Sequence, residues 1–337
     1  MRFKFPTLAG AALLVMTAPA SAATLDVVKD RKEVICGVTT GLPGFSAPDD
    51  KGAWQGFDAE YCRAVAAAIF DNPDAVRFQP TTPKDRFTAL QSGEVDILSR
   101  VTTWTFSRDA SLGFDFIGVA YYDGQGFMVR KDLGVASGKE LDGASVCTQS
   151  GSTTEQNLAD YFRATNQKYE IVTFEGNSDV VKAFEGGRCE VLSTDRSGLA
   201  AQRLLLANPD DFIVLPDTFS KEPLGPVVRQ GDSQWADIGR WTLSALVAAE
   251  EFGITKANVD EFLKSENPEI RRMLGVEGDL GEQLGLSKDW AYRIIKHSGN
   301  YGEIYERTIG MGSPLKLERG INDLWTKGGL QYALPFR

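Results

Sequence analysis

Histidine is almost missing from this chain: among 337 residues there is one, His297. That excludes any mechanism needing two imidazoles, including an HExxH zinc site and a His-rich metal cage. Basic charge is in deficit, with 36 Lys and Arg against 46 Asp and Glu and a net charge of −10. Phosphate binding needs a basic surface, so no nucleic-acid partner is expected. No CxxC spacing occurs, which argues against a structural zinc. After residue 22 no apolar run is long enough to cross a bilayer, which takes about 20 residues. What remains is ordinary globular composition, 42% hydrophobic and 24% charged, enough for one large core or two smaller ones.

The first 22 residues read as a cleaved secretory leader. Arg2 and Lys4 supply positive charge, Leu8 to Ala18 is a short apolar run, and Ala20-Ser21-Ala22 offers the small residues a signal peptidase needs. A buried N-terminal helix is the alternative. No cysteine stands at the cleavage point to take a lipid, so the expected location is free in the periplasm. Four cysteines follow: Cys36, Cys62, Cys147 and Cys189. In an exported chain an even number suggests disulfides, and three pairings are possible. Their grouping into an early and a late pair favours Cys36–Cys62 with Cys147–Cys189; four buried thiols are the alternative.

From Thr24 to about Asp260 strand and helix patterns alternate. Glu33–Val38 reads as a strand, Asp58–Phe70 as a helix with Tyr61, Val65 and Ile69 on one stripe, and Val95–Leu98 as a further strand. The pattern restarts at Ala144–Thr148. The stretch ALQSGEVDILSRV from Ala89 lies without a gap over AFEGGRCEVLSTD from Ala183. Each is a helix end, a glycine turn and a short apolar strand. This predicts two α/β lobes of similar, doubly wound build with a cleft between them.

Ligands of open α/β sheets bind beyond the carboxyl ends of strands. Polar residues stand there. Arg108 can grip a carboxylate with two parallel hydrogen bonds. Ser152 and Glu155 have capping-box spacing, so a helix start with free N–H groups and hydroxyls forms a second anion-friendly surface. Asp195 can accept from an ammonium group. One cation, one anion and several hydroxyls describe a receptor for a free amino acid. The plainer readings are an exposed Arg108, an Asp195 that only caps the next helix, and Ser/Thr turn chemistry.

The runs TTWTFSRDASLGF, YYDGQGFMVRKDLG, SGSTTEQNLADYFRA, KEPLGPVVRQGD and NYGEIYERTIGMGSPL resemble the periplasmic binding proteins of general L-amino-acid ABC transporters, a branch of the polar amino-acid-binding family. The likeness covers essentially the whole mature chain. It implies the bilobal type II periplasmic-binding-protein fold, two doubly wound α/β lobes joined by a two-strand hinge, with a helical C-terminal extension. Residue by residue it implies that Arg108 binds the ligand α-carboxylate, helped by Thr103, that Ser152 and Thr153 open the second lobe's first helix at the ligand, and that Asp195 holds the α-ammonium. In the loop after the first strand many relatives have an acidic residue and an aromatic lid. Here the acidic residue is absent and Phe45 is the one candidate for an aromatic wall. Arg100 stands where many relatives have an uncharged residue; it either reaches the ligand side chain or pairs with a surface acid of the protein.

The resemblance also implies the division of the chain: 1–22 leader, 23–123 first part of lobe 1, 124–223 lobe 2, and 224–337 the rest of lobe 1 with an extension from about 265. Asp123-Gly124-Gln125-Gly126 reads as a flexible hinge tetrapeptide. His297 reads as a surface or packing residue. The implied function is capture of free L-amino acids and delivery to a membrane permease of an ABC transporter, by a monomer with no cofactor and no metal. A periplasmic dehydratase on the same fold is the alternative, and a ligand-sensing domain of a receptor kinase a weaker one.

Overall fold

The computed structural model describes residues 23–337. The leader read in residues 1–22 lies outside them. Lobe 1 starts with helix α1 (Thr24–Arg31), followed by strands β1 (Val34–Val38), β2 (Ala47–Pro48) and β3 (Trp54–Gln55), helix α2 (Phe57–Phe70), β4 (Val76–Pro80), α3 (Arg86–Ser92), β5 (Ile97–Leu98), α4 (Phe106–Leu112) and β6 (Phe114–Phe116). Strand β7 (Tyr121–Asp123) then leaves it. Lobe 2 comprises β8 (Gln125–Arg130), β9 (Ala144–Gln149), α5 (Thr153–Ala164), β10 (Tyr169–Phe174), α6 (Asn177–Glu185), β11 (Val191–Asp195), α7 (Arg196–Arg203) and β12 (Phe212–Val214). Strand β13 (Glu222–Leu224) returns the chain to β14 (Val227–Arg229) and the long helix α8 (Ser233–Glu251).

The two main sheets have matching orders, β4-β1-β5-β14-β6 and β10-β9-β11-β8-β12. In each, three parallel strands are followed by one antiparallel strand, and a fifth pairs antiparallel with that one. Burial explains the sequence pattern. The second strand β1, covered on both faces, is apolar or glycine throughout and wholly buried, whereas edge strands β4 and β10 carry polar residues and are only partly covered. The repeat read in the letters falls on equivalent places. Helix α3 turns at Gly93 (φ +81°) into β5, and α6 turns through Gly187 (φ +76°) into β11. Left-handed backbone of this kind favours glycine.

Both favoured disulfides are present. Cys36–Cys62 ties β1 to α2, and Cys147–Cys189 ties β9 to the turn before β11. The rest of the chain joins lobe 1. Helices α9 (Val259–Phe262), α10 (Pro268–Met273), α11 (Leu280–Gln283), α12 (Trp290–Ser298) and α13 (Tyr301–Thr308) follow α8. Trp290, Ile294, Ile295, Tyr301 and Tyr305, and the penultimate Phe336, share one buried cluster with Val34, Cys36 and Ala64 of β1 and α2. His297 lies on this surface and meets Asp71 at 2.9 Å.

Between the lobes β7 and β13 run antiparallel, with Asp123 opposite Glu222 and Tyr121 opposite Leu224. The segment after β5 joins them: Trp104 N donates to Pro223 O and Gly225 N to Thr102 O. The tetrapeptide from Asp123 is packed rather than loose. A Cβ on Gly124 would stand 2.3 Å from Thr218 Cγ2, so glycine is needed there for space and not for flexibility.

Candidate functional site

The two lobes touch on both sides of the cleft. On one side Asn177, at the start of α6, donates from Nδ2 to Gly41 O (2.8 Å) and from its backbone N to Thr40 Oγ1 (3.3 Å). On the other, Thr103 Oγ1 and Thr153 Oγ1 stand 3.3 Å apart. Lys84 and Glu175 approach to 3.5 Å at the rim. Inside, a small cavity is lined by Thr40, Arg100, Asn177, Asp195 and Gln202 among others.

Lobe 1 contributes three buried guanidiniums. Arg108, 7% exposed, spends one N–H on Thr103 O at 2.9 Å, and its guanidinium lies 5.2 Å from the centre of the Phe87 ring. Its place is fixed by α4, whose start is capped by Thr105 Oγ1 accepting from Arg108 N. Arg100, 3% exposed, follows β5. Arg86, equally buried, stands on the first turn of α3 and stacks on Phe87 at 4.9 Å. Burial lowers the affinity of all three for their protons, to about 10 for Arg100 and Arg108, and well below the usual value for Arg86, where the charges of the other two add to it. Arg100 and Arg108 therefore remain cations at neutral pH.

Acids gather opposite. Asp195 stands at the end of β11, immediately before α7, yet its side chain makes no cap hydrogen bond. The plain capping reading fails because another residue does that work: Asp123 Oδ2, from β7, accepts from Ser197 N at 3.1 Å and from Ser197 Oγ. Burial, then the neighbouring Asp123 and Glu222, push the Asp195 carboxyl well above the usual range. Burial also lifts Asp123 to about 6, against hydrogen bonds from Ser197 and Gly124. Glu222, 2% exposed on β13, accepts from Thr103 Oγ1 (2.7 Å) of lobe 1 and from Thr153 Oγ1 (3.0 Å) and Asn157 Nδ2 (2.7 Å) of lobe 2.

These contacts sort the residues read from the sequence. Arg108 is buried, not an exposed charge, and Thr103, Thr153, Arg100 and Asp195 are brought to the cleft with it. The hydroxyls of Thr103 and Thr153 are already directed at Glu222. Ser152 accepts from Glu155 N and donates to Gln149 O at 2.6 Å, so its hydroxyl serves the start of α5. Phe45 is no cleft wall. It is 1% exposed and packs edge-on to Tyr121 and Phe57 in the core of lobe 1, because the turn at Leu42–Ser46 folds it inward. Arg86, Glu222, Asn177 and Gln202 were not picked out by sequence reasoning. Gln202 had a signal: with Asp195 and Gly198 it keeps i, i+3, i+7 spacing on one helical face.

Val101 holds a left-handed backbone (φ +45°), uncommon for a β-branched residue. Its N–H is donated to Asp58 Oδ2 at 3.1 Å, which fixes the turn that presents Arg100 and Thr102. A wider concavity on lobe 1, lined by Glu60, Arg63, Glu250, His297, Arg307 and Arg319, is open surface whose charges pair with one another, as Arg319 does with Glu250 at 3.1 Å.

Residues 34–274 match the model of the bacterial extracellular solute-binding proteins, family 3. The chain belongs to that family. Among its relatives, the general L-amino acid-binding periplasmic protein AapJ of Rhizobium johnstonii is 60% identical over 331 residues, covering 97% of each chain. The glutamate/glutamine/aspartate/asparagine-binding protein BztA of Rhodobacter capsulatus is 56% identical over 319 residues, covering 94% of each. A solved structure, the ABC transporter / periplasmic binding protein from Brucella ovis with glutathione bound, superposes with a TM-score of 0.92 at 57% identity, covering 94% of this chain and all of that one. This family 3 chain has the type II bilobal fold and is a binding protein, not an enzyme. Nothing in these likenesses supports the dehydratase reading. Among the described residues no helix is long and apolar enough to cross a membrane.

Proposed function

We propose that the protein is a monomeric periplasmic receptor that captures free L-amino acids in its interlobe cleft and hands them to the permease of an ABC transporter. The observation carrying this reading is the pairing of a buried guanidinium, Arg108, with a half-buried carboxyl that caps nothing, Asp195, across the cleft. A free amino acid offers the two complementary groups. Its α-carboxylate accepts from the N–H groups that Arg108 does not spend on Thr103, and its ammonium donates to Asp195. The names of the two relatives, both amino-acid-binding, support the ligand class.

Closure follows from the same contacts. A ligand held by Arg108 of lobe 1 and Asp195 of lobe 2 favours the conformation in which both are near, and shifts the population toward it. In the hinge, Glu222 already joins Thr103 to Thr153, so ligand-binding loop and hinge strand move as one unit. In this reading the chain divides after Asp123 and after Pro223, with the two moving bodies on either side of β7 and β13.

The test is a thermal-shift screen of the mature protein against all twenty amino acids and glutathione. A bound ligand raises the unfolding midpoint by mass action, about 2.7 kcal/mol at a hundred times its Kd. Several free amino acids should raise it. A chain stabilised by none of them would not be an amino-acid receptor.

A further inference from the structure

Of the three cleft arginines, Arg100 is the one whose side chain makes no hydrogen bond within the described residues. It is 3% exposed, and its Nε is buried without a hydrogen-bond partner. The acid whose charge it feels most, Asp58, is otherwise engaged: Oδ1 accepts from Ser99 Oγ at 3.0 Å and Oδ2 from Val101 N. The surface-acid alternative for Arg100 therefore has no place, since the residue is neither at the surface nor bonded to that acid.

Across the cavity stands a second orphan. Gln202, 2% exposed on α7, donates from Nε2 to Asn177 Oδ1 at 2.6 Å, and its Oε1 is buried without a partner. The orientation is fixed by chemistry. Gly41 O can only accept, so Asn177 must present Nδ2 to it and Oδ1 to Gln202. Gln202 must then present its NH2 to Asn177, which leaves Oε1 as its free atom. Arg100 and Gln202 line the same cavity, together with Asp195 and Thr194. A buried donor and a buried acceptor left unpaired cost free energy until a ligand supplies the complements.

We propose that Arg100 and Gln202 form the subsite for the ligand side chain, and that it selects acidic and amide amino acids over aliphatic and basic ones. The inference rests on the amino-acid-receptor reading above and names the substrate class of that site. A side-chain carboxylate accepts from Arg100 in a charge-assisted bond. A side-chain carboxamide accepts from Arg100 with its oxygen and donates to Gln202 Oε1 with its nitrogen, satisfying both orphans. An aliphatic side chain leaves both unpaired, and a lysine or arginine side chain sets a cation beside a guanidinium. Asn177 links this subsite to closure, because the amide that orders Gln202 also bonds Gly41 of the other lobe.

The experiment is calorimetry with L-glutamate, L-glutamine and L-leucine on the wild type, Arg100→Met and Gln202→Met. The wild type should bind glutamate and glutamine at least tenfold tighter than leucine. In Arg100→Met the loss for glutamate should exceed the loss for leucine by tenfold or more. In Gln202→Met glutamine should lose at least threefold more than glutamate. Equal changes for all three ligands in both variants, or none, would overturn the subsite while leaving the receptor intact. Should Arg100→Met fail to fold, Gln202→Met decides alone through its glutamine-to-glutamate ratio. A wild type that binds none of the three would instead overturn the receptor reading.

Discussion

The two lobes share one strand order yet face each other with opposite chemistry. Lobe 1 sends Arg86, Arg100 and Arg108 into the cleft, whereas lobe 2 and the hinge send Asp195, Asp123 and Glu222 with the amides of Asn177 and Gln202. The likeness of fold comes from apolar patterning, which is the same in both sheets. The difference sits in the residues just past the strand ends, where the chain no longer serves the core. A doubled architecture thus becomes a dipolar receptor by changing a few side chains at equivalent loops.

The largest expected effect comes from removing one end of that dipole. Arg108→Ala and Asp195→Ala should each weaken every bound amino acid by at least about a hundredfold, since breaking a buried charge pair costs about 3–5 kcal/mol. Calorimetry on both variants checks this. Near-native binding by either one would remove its residue from the site.

Each lobe also has its own covalent tie. Alkylation of the exported protein without reduction should label no cysteine, in keeping with Cys36–Cys62 and Cys147–Cys189. Loss of either bridge, by paired Cys→Ser substitution, should cost about 3–4 kcal/mol in denaturant unfolding. The 42-residue separation in lobe 2, against 26 in lobe 1, makes its loss the slightly larger one in the chain-entropy model.

The acidic wall predicts a pH dependence that the basic wall does not share. Burial lifts Asp123 to about 6 and raises the Asp195 carboxyl well above its usual value, so on the acid side of about pH 6 the empty cleft takes up protons. An arriving ammonium favours the ionised forms and expels protons. Affinity should therefore fall as pH drops below about 6, and calorimetry in buffers of differing ionisation heat should show proton release on binding. Stability of the empty protein runs the other way. Asp58 and Asp123, both at about 6, bind protons more tightly folded than unfolded. Their contribution is lost as pH rises from about 4 through 6, so it is greatest on the acid side.

The smallest effect is expected at the rim. Lys84 and Glu175 are each 65% exposed, and an exposed pair of this kind contributes about 0–1 kcal/mol. Lys84→Ala should change amino-acid affinity by less than about threefold. A larger change would mean that rim electrostatics, and not the buried walls, govern closure.

Much of this was legible in the letters, for a physical reason. A strand covered on both faces must be apolar along its length, so Val34–Val38 announces itself. A glycine between a helix end and an apolar strand marks a left-handed turn, so the units at Gly93 and Gly187 can be laid over each other. Arg108 and Asp195 could be read as ligand groups because both stand in the polar segments that follow strands β5 and β11. Phe45 misled, because an aromatic residue in a glycine-rich loop looks the same whether it turns to solvent, to a ligand or inward to Tyr121. Glu222 and Asp123 were hidden by distance: the helix that Asp123 caps begins more than 70 residues later, and no local pattern records such a bond. Arg86 was hidden by ordinariness, since arginine in the first turn of a short helix usually meets water. Here it lies over Phe87, faces Thr102 and is 3% exposed.

The central claim is that a free amino acid lies between the two walls, its carboxylate on lobe 1 and its ammonium on lobe 2. A crystal structure of the mature protein with L-glutamate tests it most directly. The α-carboxylate should lie within hydrogen-bond distance of Arg108, the ammonium within that distance of Asp195, and the side-chain carboxylate against Arg100. Glutamate bound with its ammonium toward the arginines, or outside the cleft beside His297 and Arg307, would contradict it.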